Sequence, residues 1–489
     1  MKEEIVFGTD GWRAVIADQF TFANVEKVVH AIGLYILNHY DETLPVLIGY
    51  DTRFLADRFA YRAAEVLANL GLSVKIVRHD VPTPCIAYAA QHEPTAGALQ
   101  FTASHNPPEY LGIKYIPHYA GPATDEITEE ITVNLETGAK YVKQEGGKIA
   151  EFDPKPPYME ALSKLVDLKR IGAAGLKVGV DPLYGTSRDY LDLILRDAGV
   201  KIEVIHNWRD TNFGGGMPEP KQQCLGDLIE LVKSHKLDAG LATDGDADRL
   251  GVVDNLGNYL MPNQVLTLLA RHLIKNRNLR GAIVRTVATT HLLDRLAQKY
   301  NLPIVETPVG FKYIGEVMRK QDVLIGGEES GGVSFIGHIP EKDGIMANLL
   351  LLEMLAYEGK PLSEIWQDLI DEAGVLLVGR RADYHLPAGK QKELKERLKA
   401  KPPTSLAGKK VVKVGLKDGI KLYLDEMGDT WIVIRPSGTE PLVRLYAESP
   451  SATLADAMLA DCQQQVEVIL KDLQTNQSMA QERQPISAA

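Results

Sequence analysis

Short apolar runs of four or five residues alternate along most of the chain with longer stretches in which apolar positions recur every three or four residues. Up to about residue 150, β-rich runs at 46–50, 73–77 and 98–101 are separated by helical patterns such as 25–37 and 59–70, which predicts a sheet with crossover helices. The rhythm restarts at 176–181 (LKVGVD), passes through an amphipathic 187–197, and returns to apolar runs at 241–244 and 251–254. It begins a third time at 282–286, crosses helical 290–299 and 311–320 to a run at 323–327, and closes on a long apolar helix over 344–358. Three units of about a hundred residues each therefore share one α/β plan, without letter-by-letter repetition.

After residue 374 the pattern changes. Strands are expected at 375–379, 410–414, 430–434 and 443–448 and helices at 390–398 and 454–473, with no regular strand-helix alternation, which predicts a smaller α+β domain. The last stretch, QTNQSMAQERQPISAA from 474, is polar and aperiodic and is expected to be a disordered tail.

Composition narrows the function. The chain has 489 residues, more than one hydrophobic core usually organises, and a formal net charge of −11. That charge argues against general nucleic-acid binding, so an enzyme handling anionic substrates must gather its cations locally. Three cysteines, Cys85, Cys224 and Cys462, lie far apart without a CxxC pair, as expected of structural thiols in a reducing compartment. The N-terminal MKEEIVFGTDGWRAVI lacks an apolar targeting core, and no run of about 18 apolar residues occurs, so a cytoplasmic protein without membrane spans is expected.

Four motifs carry candidate chemistry. In GLATDGDADRLGVVD, Asp244, Asp246 and Asp248 alternate with small residues just after an apolar run, so the three carboxylates converge. Their mutual repulsion is relieved by a hard divalent cation such as magnesium. A calcium EF-hand does not fit, because its loop needs Gly sixth and Glu twelfth where this chain has Arg249 and Asn255. A solvated acidic turn remains the plain alternative.

In LQFTASHNPPEYLGIKY, Ser104 follows a β-run and precedes Pro107 and Pro108, which stiffen the turn. His105 beside it and Lys114 ten residues on are candidates for proton transfer and phosphate neutralisation, against the plain reading of a strand-end turn. In WIVIRPSGTEPLVRLYAE, a β-run delivers Arg435, Ser437, Gly438 and Thr439 to a tight turn that can cradle phosphate or be an ordinary hairpin. LIGGEESGGVSF presents Glu328, Glu329 and Ser330 on a glycine-flanked loop, suited to vicinal sugar hydroxyls but also readable as a polar loop.

Together and in this order, the four motifs resemble those of the α-D-phosphohexomutase superfamily, the phosphoglucomutases and phosphomannomutases. The likeness spans almost the whole chain, from FGTDGWRAVI, where Arg13 matches the family's active-site arginine, through TASHN, DGDADR and GEES to RPSGTEP. It implies three similar α/β/α domains with mixed sheets and a C-terminal α+β domain of TATA-binding-protein-like type around a central cleft. The domains expected are 1–153 bearing the phosphoserine, 154–257 binding metal, 258–373 recognising sugar and 374–473 binding phosphate, with 474–489 as the tail.

The resemblance further implies that Ser104 is the phosphoserine and that Asp244, Asp246 and Asp248 hold magnesium together with a phosphoserine oxygen, with Arg249 beside them. Glu328 and Ser330 would grip the sugar's O3 and O4, and Arg435, Ser437, Gly438 and Thr439 the phosphate that is not transferred. Arg13, His105 and Lys342 match positions of proton handling or phosphate contact, and Lys312 a segment that faces the cleft.

The implied reaction interconverts hexose 1-phosphate and hexose 6-phosphate through a hexose 1,6-bisphosphate, which also serves as activator, in a monomer or homodimer. Glucose is the first choice of sugar and mannose the second, since GEESGG departs from the GEMSGH and GEQSGH forms associated with mannose and glucosamine enzymes. Two alternatives stay open. One is a glucose 1,6-bisphosphate synthase drawing on fructose 1,6-bisphosphate or 1,3-bisphosphoglycerate; the other is a metal-dependent sugar phosphatase or a non-catalytic sugar-phosphate sensor.

Overall fold

The computed structural model describes residues 5, 11–138, 146–387, 389–437 and 441–482, the stretch 473–482 by its backbone alone. The chain forms two compact units. One takes the described residues up to Val284 with Tyr300–Val305 and Gly310–Leu369, and the other Arg285–Lys299, Glu306–Val309 and the described residues from Ile370 on.

The first sheet is mixed and six-stranded, in the order Trp12–Val15, Tyr110–Ile116, Ala98–Phe101, Val46–Tyr50, Val74–Val77, Ile149–Phe152. Its central strand, VLIGY, is buried at all five positions because both faces are covered, which is why it reads as a continuous apolar run. Helix Phe22–His39 starts where Thr21 accepts the amide of Asn24, and it buries eight of its positions. The second sheet runs Tyr259–Leu260, Leu250–Asp254, Ala239–Thr243, Lys177–Asp181, Lys201–Val204, and the third Ile304–Thr307, Ala282–Thr286, Val323–Gly327, Val333–Phe335. Helix Gly344–Glu358 is buried at its first twelve positions, so its sequence is apolar all round rather than striped.

The expected α+β domain carries an antiparallel sheet, Val378–His385, Leu442–Ser449, Trp431–Pro436, Ile420–Tyr423, Lys413–Gly415. Its first strand starts three residues later than expected and runs on through GRRADYH, because an edge strand tolerates charged residues that hide it in the sequence. The expected strand 410–414 is split between Lys409–Lys410 and Lys413–Gly415. The tail expectation is corrected in part. Helix Ala452–Glu482 continues through 474–482, since no Gly or Pro interrupts it and Gln, Met, Ala and Glu all propagate a helix well. Residues 483–489 of that tail lie outside the described residues.

The second unit draws in part of the third α/β repeat for a reason visible in its core. Val287 and Ala288 pack with Trp431, Val433 and Tyr446, and beside them Lys421 is almost fully buried. Its ammonium donates to Val287 O at 2.7 Å and to His291 Nε2 at 2.8 Å, and lies 4.1 Å from the Trp431 ring centroid. Burial, followed by the charge of Arg285, pushes Lys421 down to about 7. An unfolded lysine keeps its proton to about pH 10, so between these values the unfolded state binds more protons and stability rises with pH. Below pH 7 the cost of charging Lys421 is felt in full. Thermal unfolding of Lys421→Met is therefore expected to show a smaller rise from pH 7 to pH 9.5 than wild type; parallel pH profiles would show that Lys421 keeps an ordinary lysine titration in the fold.

Cys85 and Cys462 are buried, and burial raises both thiols, Cys462 to about 12, as expected of unreactive structural cysteines. Among the described residues, no helix is long and apolar enough to cross a membrane.

Candidate active site

The four motifs occupy one topological position. Each is the connection between two neighbouring antiparallel strands: Ala98–Phe101 and Tyr110–Ile116, Ala239–Thr243 and Leu250–Asp254, Val323–Gly327 and Val333–Phe335, Trp431–Pro436 and Leu442–Ser449. The first three loops belong to the first unit.

Ser104 is buried and has φ +51°, a left-handed conformation that costs a residue with a side chain about 1–2 kcal/mol. It is held there by its amide, which donates to Thr102 Oγ1 at 2.8 Å, and by its carbonyl, which accepts from Arg53 Nη2 at 2.8 Å. The hydroxyl donates to Asp244 Oδ2 at 2.8 Å, and His105 Nδ1 lies 3.3 Å from the same oxygen of Ser104. Gly245 makes this approach possible, since a Cβ there would stand 2.8 Å from the Ser104 carbonyl oxygen.

Asp244, Asp246 and Asp248 are buried, with one carboxylate oxygen from each lying within 4.8 Å of the others. Lys114 comes from strand Tyr110–Ile116 and places its ammonium 3.1 Å from Asp246 Oδ2 and 3.0 Å from Asp248 Oδ2. Lys342 Nζ is 3.3 Å from Asp248 Oδ2. Its stem runs through space left by Gly332, where a Cβ would meet Lys342 Cδ at 2.4 Å. Burial, then the charges of Asp248 and Asp246, push Asp244 well above the usual carboxylate range. Burial would raise Asp248 too, but Lys114, Lys342 and Arg249 together outweigh it and hold Asp248 well below that range.

A cation fits this donor set. Asp246 Oδ1 and Asp248 Oδ1 are buried without a hydrogen-bond partner, and three carboxylates offer the oxygen ligands that a hard divalent ion takes.

Around the cluster, Arg249 donates its amide to Asp244 Oδ1 at 3.0 Å, and its guanidinium faces Glu219 at 3.5 Å. Arg249 also bridges by backbone to Gly332 in the third loop, where Ser330 Oγ donates to Glu328 Oε1 at 2.6 Å. Arg13 Nη1 donates to Asn106 Oδ1 at 2.8 Å in the Ser104 loop. Burial, then Arg249 and Arg13, hold His105 well below 6.5, so its imidazole is neutral at physiological pH.

The first unit thus brings Ser104, His105, Arg13, Lys114, the three aspartates, Arg249, Glu328, Ser330 and Lys342 into one connected set of contacts. Lys312 is engaged elsewhere, paired with Asp125 at the start of helix Asp125–Thr137. In the second unit, Arg435 Nε donates to Asp418 Oδ2 at 2.8 Å and the Ser437 amide donates to Leu442 O. Gly438 and Thr439 lie outside the described residues.

Three contributors escaped the sequence reading. Thr83 donates through Oγ1 to Asp246 Oδ2 at 2.7 Å, Glu219 faces Arg249, and Arg53 braces the serine loop. Only Arg53 carried a signal, a charged Asp51-Thr52-Arg53 corner directly after a fully buried strand.

Comparison with known proteins agrees with this arrangement domain by domain. The phosphoglucomutase/phosphomannomutase models for α/β/α domains I, II and III match residues 4–142, 156–257 and 261–373, and the model for the C-terminal domain matches 387–464. A phosphoglucomutase/phosphomannomutase of Thermococcus kodakarensis is 32% identical, covering 91% of this chain and 95% of its own. A phosphoglucosamine mutase of Carboxydothermus hydrogenoformans is 30% identical over 93% of this chain and 97% of its own. A crystal structure from Thermus thermophilus, provisionally called a phosphomannomutase, superposes with a TM-score of 0.84 at 35% identity, over 96% of this chain and 100% of its own. Fold and comparisons define an intramolecular phosphotransferase, a sugar-phosphate mutase. The chain belongs to the phosphoglucomutase/phosphomannomutase family of the α-D-phosphohexomutase superfamily.

Proposed function

We propose that the enzyme interconverts glucose 1-phosphate and glucose 6-phosphate, with mannose phosphates as secondary substrates, by way of a phosphoryl group carried on Ser104. The observation that supports this best is the 2.8 Å hydrogen bond from Ser104 Oγ to Asp244, a serine and a carboxylate cluster brought together from positions 140 residues apart. In the proposed reaction the P–O bond to Ser104 breaks as one forms to the free hydroxyl oxygen of a bound hexose monophosphate, whose proton passes to the departing serine oxygen, giving the 1,6-bisphosphate. The sugar then reverses and returns its other phosphate to Ser104.

Asp244, Asp246 and Asp248 would hold magnesium, which withdraws charge from the transferring phosphoryl oxygens when bound. Lys114, Lys342, Arg249 and Arg13 neutralise the remaining phosphate charge. The neutral His105, with Nδ1 beside Ser104 Oγ, is placed to hold the proton that the serine hydroxyl releases when phosphate returns to it. Glu328 and Ser330 would bind the sugar hydroxyls, and Arg435 and Ser437, with Gly438 and Thr439, the phosphate that is not transferred. Lys312 is assigned no direct part, because its ammonium is held by Asp125.

Glucose is preferred over glucosamine on the GEESGG loop, although the relatives include a phosphoglucosamine mutase. The decisive assay supplies glucose, mannose and glucosamine 1-phosphates with magnesium, with and without a trace of the matching 1,6-bisphosphate. The highest kcat/KM is expected for glucose 1-phosphate, with bisphosphate shortening the lag. A higher kcat/KM for glucosamine 1-phosphate would overturn the choice of sugar, and net release of inorganic phosphate would overturn the mutase reading.

A further inference from the structure

We infer that Arg53 is a positioning residue that fixes the Ser104 loop in the backbone conformation from which the hydroxyl reaches Asp244, an inference that rests on the reading of Ser104 as the phosphate carrier. A guanidinium has five N–H donors, and in Arg53 all five are engaged. Four go to carbonyl oxygens of one turn: Ser104 at 2.8 Å, Asn106 at 2.7 Å, Pro107 at 2.6 Å and Tyr110 at 3.0 Å. The fifth, on Nε, goes to Asp51 Oδ2 at 3.1 Å, while Asp51 Oδ1 accepts the Arg53 amide. The side chain is fully buried, with the Phe213 ring centroid 5.0 Å from its guanidinium carbon.

The loop needs an outside donor for reasons fixed in its own residues. Pro107 and Pro108 have no N–H, so the turn has few backbone donors of its own: the Asn106 amide goes to Ala103 O at 3.0 Å and the Tyr110 amide to Pro107 O at 3.1 Å. Ser104 is in the left-handed region, which persists only where the surroundings over-determine it. Strand Val46–Tyr50 lies beside Ala98–Phe101 in the sheet, with Tyr50 opposite Phe101, so the corner that follows it at 51–53 falls next to the loop that follows Phe101. Lysine cannot do the same work, since a single ammonium has three donors and no planar fork to span four carbonyls.

Every Arg53 donor is spent on backbone carbonyls or on Asp51, so its effect is on where the Ser104 hydroxyl stands. Sugar binding should be largely indifferent to it and the transfer step sensitive, because misplacing a reacting group by about 1 Å costs on the order of a hundredfold.

The test compares full-length wild type, Arg53→Lys and Arg53→Ala in three measurements: kcat and KM, thermal unfolding, and hydrogen exchange across residues 102–112. In folded Arg53→Lys, kcat is expected to fall about a hundredfold with KM within about threefold. Exchange should quicken in 102–112 and stay unchanged in the aspartate loop. Guanidinium chloride, at a concentration too low to unfold the protein, should restore at least part of the kcat of Arg53→Ala, while the same concentration of ammonium chloride should not. Where Arg53→Ala fails to fold, Arg53→Lys decides alone. A folded Arg53→Lys with kcat within about threefold of wild type, or with unchanged exchange in 102–112, would overturn the inference. If wild type took up no phosphate on Ser104 from a hexose 1,6-bisphosphate, the functional reading would fail, while the exchange comparison would still decide whether Arg53 holds the loop.

Discussion

Ser104→Ala is expected to lower turnover at least about a thousandfold, equivalent to about 4 kcal/mol of barrier, in a protein that still folds. The substitution removes one buried oxygen and leaves the turn in place, because Arg53 and Thr102 hold the loop through backbone groups that alanine retains. What is lost is the atom that carries the phosphoryl group. Retention of more than about a thousandth of wild-type turnover would show that Ser104 is not the carrier. Sugar-phosphate binding, measured by calorimetry on the same variant, should persist, since the groups proposed to bind the sugar lie on other loops.

Asp246→Asn should have the second largest effect. Asp246 Oδ2 already serves Thr83 and Lys114, whereas Oδ1 is buried without a partner and is the oxygen most plainly reserved for a cation. Asparagine keeps the shape but removes the charge and one good ligand oxygen, so turnover at a fixed magnesium concentration is expected to fall about a hundredfold or more. The magnesium concentration at half-maximal rate should rise in parallel. A variant with wild-type turnover and unchanged magnesium dependence would mean that Asp246 holds no cation.

Much of this was legible in the sequence because the chemistry is local there. The aspartates stand two residues apart, and the serine loop is bounded by an apolar run and two prolines, so both declare themselves without the fold. Central strand Val46–Tyr50 was equally plain, since burial on both faces writes an unbroken apolar run, and Ala98–Phe101 breaks that run only at buried Gln100. The less legible parts depend on pairs far apart in the chain. Thr83 meets Asp246 across 163 residues and Arg53 meets Ser104 across 51, and neither spacing leaves a pattern. The transfer of Arg285–Lys299 into the second unit was hidden for the same reason, because it follows from Val287 and Ala288 finding the aromatic face of Trp431 and Tyr446. Edge strand Val378–His385 is obscured because an exposed strand carries polar residues that resemble loop, and the end of helix Ala452–Glu482 because its sequence is polar and aperiodic like a tail.

The most direct test of the central claim is a single-turnover chase. The protein is labelled with radioactive phosphate on Ser104 from a labelled hexose 1,6-bisphosphate, freed of ligand, and mixed with unlabelled glucose 1-phosphate and magnesium. Label is expected to leave the protein and appear in glucose 1,6-bisphosphate and glucose monophosphate, at a rate no slower than kcat. Label that stays on the protein, or that leaves only as inorganic phosphate, would contradict the account.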